Sequence, residues 1–229
     1  MRSKSLKSIL AWDLDNTLFD RDTAFRRCLV AIATERQKNP SLLGSSVSRI
    51  MAFDRSGKAD RLAVAEFIAS EIGLPSSEAA GLKETIQRRL PEFVRPDQEV
   101  CRLLEELSRE YRMALISNGG AVLQRAKLDR AGLMKFFDPA LILISGELES
   151  EKPDLAIFAE MLKRAEASAS GSLFVGDDPV ADIEGATRAG MRTCWVSRGR
   201  SAPASLKADF VVREIFELRR LRISQTVPS

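Results

Sequence analysis

Hydrophobic and polar positions divide this chain into three kinds of stretch. Residues 9–12 are an unbroken apolar run that stops abruptly at Asp13 and Asp15. A strand with no polar face is one covered on both sides of a parallel sheet. From residue 20 to residue 92 the spacing turns helical, and helices are predicted over 23–37, 46–54, 59–72 and 76–90. Asn39 with Pro40, Ser56 with Gly57, and the run Gly73, Leu74, Pro75 break them apart. From Arg95 strand and helix alternate. Pro96 and Asp97 open a helix with Val100, Leu103, Leu104 and Leu107 on one side, and strands are predicted over 113–116, 140–144, 173–175, 193–196 and 210–212. Helices fill the intervals, ending near Ala131, Arg164 and Ala189, and the segment after Glu214 reads as a solvated terminal helix bearing Arg213, Arg219, Arg220 and Arg222.

Short, very apolar strands alternating with helices specify an α/β fold, a doubly wound parallel sheet. The helical stretch interrupts that pattern after the first strand. The predicted organisation is therefore an α/β core of residues 1–19 and 95–229 with an all-helical insertion of residues 20–94.

Composition narrows the chemistry. The 229 residues include 35 basic and 32 acidic ones, a net charge of +3 spread along the chain, which gives no support to a nucleic-acid partner. The longest apolar run, residues 140–144, is too short to span a bilayer, and the mildly basic amino terminus reaches Asp13 before a signal-peptide core can form. Cys28, Cys101 and Cys194 lie far apart without metal-site or disulfide spacing, which points to a reducing cytoplasm. Histidine is absent, so Ser-His-Asp and Cys-His schemes and histidine-bound metals are excluded, leaving carboxylates as the chemical agents.

Four loops at predicted strand ends carry the candidates: Asp13, Asp15 and Thr17; Ser117 and Asn118; Lys152; and Asp177, Asp178 and Asp182. In a parallel sheet such loops converge on one crevice. Each also has a plain structural reading. Asp13 and Asp15 can open a turn, Ser117 to Gly119 can be one, Lys152 can be a solvated charge, and Asp178 with Pro179 can cap a helix. Four of them at one sheet edge, in one order, point to a shared site.

That order resembles the haloacid dehalogenase (HAD) superfamily of phosphohydrolases. Its DxDxT signature corresponds to Asp13, Leu14, Asp15, Asn16 and Thr17; its strand-closing hydroxyl to Ser117; its lysine to Lys152, followed by Pro153; and its GDxxxxD motif to Gly176, Asp177 and Asp182. The helical insertion resembles the α-helical cap of the superfamily's first subfamily, set on a Rossmann-like core. The resemblance implies a phosphatase of a small phosphorylated metabolite, with Asp13 as nucleophile and Asp15 as proton donor. Neighbouring negative charge would raise the Asp15 pKa for that role. Thr17, Ser117, Asn118 and Lys152 would hold phosphoryl oxygens. Several carboxylates forced together call for a divalent cation, and oxygen-only ligands favour magnesium (Mg2+). By the resemblance its ligands would be the Asp13 carboxylate, the Asp15 backbone carbonyl and the Asp177 carboxylate, with Asp178 and Asp182 supporting them from behind. A phosphomutase or a dehalogenase of the same superfamily, and a receiver-like module phosphorylated on aspartate, remain alternatives. Arg21, Arg26, Arg27, Lys58 and Arg61 are available to an anionic leaving group, though such residues mostly form solvated helix faces. The sequence leaves the oligomeric state and the particular substrate open.

Overall fold

The computed structural model describes residues 8–36 and 43–221. The chain divides into two compact units, one of Met1–Phe19 with Pro96–Ser229 and one of Asp20–Arg95.

The first unit opens with strand β1 (Ile9–Trp12). All four of its residues are at most 2% exposed, as a run without a polar face requires. The second unit follows as helices α1 (Arg21–Arg36), α2 (Leu43–Asp54), α3 (Arg61–Glu71) and α4 (Ala79–Arg89). Its interior is built from Phe25, Leu29, Ile32, Val47, Ile50, Val64, Ile68 and Leu82, all buried at helical spacing. Asp60 caps α3 by accepting from the Leu62 and Ala63 N–H groups. Where α2 ends, Asp54 is fully buried and accepts from Arg21 Nη1 and Nη2, from Gly57 N (2.8 Å) and from Arg61 Nη1 (3.0 Å). Arg21 and Arg61 are thus engaged by a buried carboxylate rather than held out as solvated anion receptors. The expected breaker at Asn39 and Pro40, and the final residue Gln37 of the first predicted helix, lie outside the described residues.

The first unit resumes with α5 (Gln98–Ser108), capped by Asp97, which buries Val100, Leu103, Leu104 and Leu107 as their spacing dictates. Then come β2 (Arg112–Ser117), α6 (Ala121–Arg130), β3 (Ile142–Ile144), α7 (Leu155–Ala165), β4 (Ser172–Gly176), α8 (Gly185–Arg188), β5 (Arg192–Val196) and β6 (Phe210–Val212). The six strands are parallel in the order β3-β2-β1-β4-β5-β6. The chain therefore winds to one side of β1, returns past it, and winds to the other. Such a reversal opens a crevice at the carboxyl ends of the central strands. One face of the sheet packs Ile9, Ala11, Ile116, Leu143 and Phe174 against Ile157, Phe158 and Met161 of α7, and the Phe158 and Phe174 rings meet edge to face at 5.4 Å.

Three segments depart from the sequence reading. β3 begins at Ile142 because Pro139–Leu141 turns as a 3-10 helix, with Asp138 accepting from Ala140 N. Pro179–Glu184 is wound as a π-helix rather than as regular helix, the Ile183 N–H reaching back five residues to Asp178 O (3.2 Å). The terminal segment Ile215–Arg220 is a docked 3-10 helix, not a solvated one. It buries Ile215 and Leu218, and Arg219 Nε bonds Glu106 of α5 at 2.7 Å; Arg222 lies outside the described residues.

Gly185 lets α8 approach α7, since a Cβ there would stand 2.7 Å from the Phe158 ring and 3.0 Å from Pro153 Cα. Gly185→Ala is expected to destabilise the fold by about 1–3 kcal/mol, read from equilibrium denaturant unfolding. A variant as stable as the parent would show that this packing is not tight.

Candidate active site

The four loops meet at the mouth of the sheet. β1 runs one residue past its ladder, with Asp13 N bonded to Val175 O at 2.9 Å. The chain then turns through Asn16, whose φ of +61° is one that asparagine tolerates. This turn aims Thr17 Oγ1 back at Asp13 Oδ2 (2.9 Å). The other oxygen, Asp13 Oδ1, accepts from Lys152 Nζ at 2.6 Å. Lys152, buried beside the strand ends, also donates to Ile116 O (2.8 Å) and stands 2.8 Å from Asp182 Oδ1. Asn118 holds its backbone in place through a reciprocal pair, Nδ2 to Lys152 O at 2.8 Å and Lys152 N to Oδ1 at 2.9 Å.

Asp182 reaches the site because Gly176 lacks a side chain. A Cβ at Gly176 would overlap Asp182 Oδ2, which instead accepts from Asp178 N at 2.9 Å. Asp177 is braced by Arg200, whose Nη2 donates to Asp177 O (2.7 Å) and Oδ2 (3.1 Å), while Trp195 Nε1 donates to the same carbonyl at 2.9 Å. From the same loop after β5, Arg198 Nη1 holds Asn16 Oδ1 at 3.0 Å.

Asp13, Asp177 and Asp182 bring carboxylate oxygens within 4.8 Å of one another, all three residues buried. Asp182 Oδ1 is buried and faces Lys152 Nζ at 2.8 Å. Hard anionic oxygens gathered in this way fit a small divalent cation. Burial drives the Asp13 pKa well above the usual carboxylate range; Lys152 opposes this, and Asp182 and Asp177 reinforce it. Burial likewise pulls Lys152 down, but Asp13 and Asp182 outweigh it and hold the ammonium above its ordinary value.

Of the sequence candidates, Asp13, Thr17, Asn118, Lys152, Asp177 and Asp182 therefore stand in one connected cluster, and Asp182 joins the carboxylate group itself rather than backing it. Ser117 closes β2 and accepts from Gln124 Nε2 at 2.6 Å. Asp178 caps the π-wound turn by accepting from Val180 N and Ala181 N. The Asp15 carboxylate points elsewhere, to Lys127 Nζ (2.9 and 2.7 Å) and Gln124 Nε2 (3.1 Å). The charge beside Asp15 is thus positive where the sequence reading expected negative. Lys127 and Gln124 were legible only as an oddity of α6, whose inward positions 124 and 127 are polar while Val122 is 86% exposed. Arg198 and Arg200 gave no spacing signal at all.

A doubly wound core whose acidic cluster faces a buried lysine defines a class, and the chain belongs to the haloacid dehalogenase-like hydrolase family, whose profile matches residues 10–196. It is 32% identical over 146 residues to pyrimidine 5'-nucleotidase YjjG of Escherichia coli, covering 63% of this chain and 64% of that protein. To phosphoserine phosphatase of Thermus thermophilus it is 41% identical over 113 residues, 49% of this chain and 43% of that one. The chain thus spans between 43% and 64% of the length of these curated relatives. Among solved structures, a 2-haloacid dehalogenase from Pseudomonas syringae is 29% identical with a TM-score of 0.61, over 93% of this chain and 97% of that one. The hydrolase YfnB of Bacillus subtilis shares the fold with a TM-score of 0.74 at 23% identity, over 93% and 97% of the two chains.

The raised Asp13 pKa means that the native protein binds this proton more tightly than the unfolded chain does. Stability of the metal-free protein should fall as pH rises from the ordinary carboxylate range through the elevated Asp13 value. Melting temperatures measured across that window in chelator should show the slope, and Asp13→Asn should remove it.

Proposed function

We propose that this chain is a magnesium-dependent phosphatase that cleaves small phosphorylated metabolites through an aspartyl-phosphate on Asp13. The observation that carries the reading is the Asp13 carboxylate held at 2.6 Å by a buried lysine, with two further carboxylates converging on it. The phosphatase and nucleotidase names of the curated relatives support the same reaction type.

In this reading Asp13 attacks phosphorus in line, the ester P–O bond breaks, and Asp15 gives its proton to the departing alkoxide. Asp15 then takes a proton from water as the water opens the acyl phosphate, returning Asp13 to its carboxylate. Lys152 and Thr17 fix the direction of the nucleophile and, with Ser117 and the Asn118 loop, meet the phosphoryl oxygens, where positioned charge supplies most of the catalysis. The carboxylates of Asp13 and Asp177, the Asp15 carbonyl and, from its place in the cluster, Asp182 would hold or support the cation. When bound, magnesium neutralises the repulsion between the carboxylates and the incoming phosphate.

No helix among the described residues is long and apolar enough to cross a membrane, and all three cysteines are free thiols; we place the protein in the cytoplasm on the second ground.

A halide-displacing reaction, suggested by the Pseudomonas relative, would use Asp13 in the same way and needs no proton donor. Asp15 therefore favours the ester. Inorganic phosphate should be released from members of a panel of phosphorylated metabolites in magnesium and not in chelator. Asp13→Asn should abolish turnover, and Asp15→Asn should slow it by about 10²–10⁴-fold. Chloride release from a chlorinated carboxylic acid, with no phosphate release from any ester, would overturn the reading.

A further inference from the structure

Phosphoryl transfer as laid out for Asp13 and Asp15 makes no use of the polar inner face of α6. Gln124 and Lys127 are 1% and 3% exposed, beside Leu128 at 0%. Lysine is almost never buried unless a partner compensates it. Here one ammonium reaches both oxygens of the Asp15 carboxylate, at 2.9 and 2.7 Å, which fixes the carboxylate's plane as well as its position. Gln124 Nε2 adds a contact to Asp15 Oδ2 at 3.1 Å while also reaching Ser117 Oγ (2.6 Å) and Asn118 O (2.9 Å). One amide therefore ties the Asp15 side chain to the loop that follows β2. It does so while its own Oε1 stays buried without a hydrogen bond. A side chain placed there only to fill space would be apolar and leave nothing unsatisfied. The Asp15 side chain itself remains 25% exposed. The two aspartates of the first loop are thus served by different lysines, Asp13 by Lys152 and Asp15 by Lys127.

We propose that Lys127 and Gln124 are positioning residues that hold the Asp15 carboxyl group in the orientation from which it protonates the leaving oxygen. This rests on the phosphatase reading and adds a specific dependence to it. An alkoxide is too basic to leave without a proton, whereas a nitrophenolate is stable as an anion and leaves without one. Misorienting Asp15 therefore slows cleavage of alkyl esters and spares that of a nitrophenyl ester. A general loosening of the site slows both alike.

The test compares kcat/KM, which reports the ester-cleaving step, for one alkyl phosphate and nitrophenyl phosphate in saturating magnesium. Lys127→Met keeps the side chain's length and removes its charge. It should lower kcat/KM for the alkyl ester by about 10²-fold and leave the nitrophenyl ester near the parent value. Gln124→Leu, which also releases Ser117 and the Asn118 loop, should lower both esters and the alkyl ester more, and this excess loss on the alkyl ester serves as the test if Lys127→Met does not fold. Lys127→Arg should restore part of the alkyl activity, and in an Asp15→Asn background Lys127→Met should add no further loss. An unchanged ratio between the two esters in either variant would overturn the proposal. A parent protein that cleaves neither ester would instead overturn the phosphatase reading.

Discussion

The structure of the first unit depends on one buried ammonium. Lys152 Nζ is shared by Asp13, Asp182 and the Ile116 carbonyl, and so joins the end of β1, the end of β2 and the π-wound turn after β4 at a single point. Removing one partner of such a buried pair costs about 3–5 kcal/mol, because the charge left behind has no solvent to compensate it. Neighbouring contacts serve to keep that nitrogen in place. Asn118 grips the Lys152 backbone from both sides, and Gly176 gives Asp182 its approach. The site is also held away from its electrostatic optimum. Asp13 and Asp182 share one lysine with Asp177 close by, and burial, reinforced by these neighbouring carboxylates, makes Asp13 resist ionisation. Stability has been yielded where charge is needed for chemistry, the usual relation between binding power and fold.

Much of this was legible in the sequence, for identifiable reasons. The run of residues 9–12 admits only a central strand, and the aspartates after it can only lie at the sheet's carboxyl edge. The α5 positions Val100, Leu103, Leu104 and Leu107 are unambiguous in period and are buried as expected. Residues 179–184 depart from the regular helix expected because propensity and period do not register a backbone widened through the Ile183 to Asp178 bond, while Gly185–Arg188 is regular helix. The terminal segment looked solvated because Arg213, Arg219, Arg220 and Arg222 surround its apolar residues, yet Ile215 and Leu218 suffice to dock it.

What the sequence withheld was pairing at long range. Arg21 and Arg61 looked like free cations until Asp54, 33 residues from Arg21, proved to be their buried partner. The cation beside Asp15 went unread because Lys127 lies 112 residues away and no local spacing relates the two. Charge partners in a doubly wound sheet come from different crossovers, so a motif names the functional group but not the field in which it sits. A polar pair on the inward face of an otherwise ordinary helix is the trace that such a field leaves.

The loop after β5 has a temporal meaning. Arg198 reaches Asn16 across 182 positions, and Arg200 reaches Asp177 from just downstream of the same strand. As the chain is made from its amino terminus, the acidic loop emerges first, the lysine much later, and the two arginines near the end. Nascent polypeptide thus carries the aspartates of the first loop for 112 and 139 positions before Lys127 and Lys152 supply their counter-charges, and Arg200 reaches Asp177 later still.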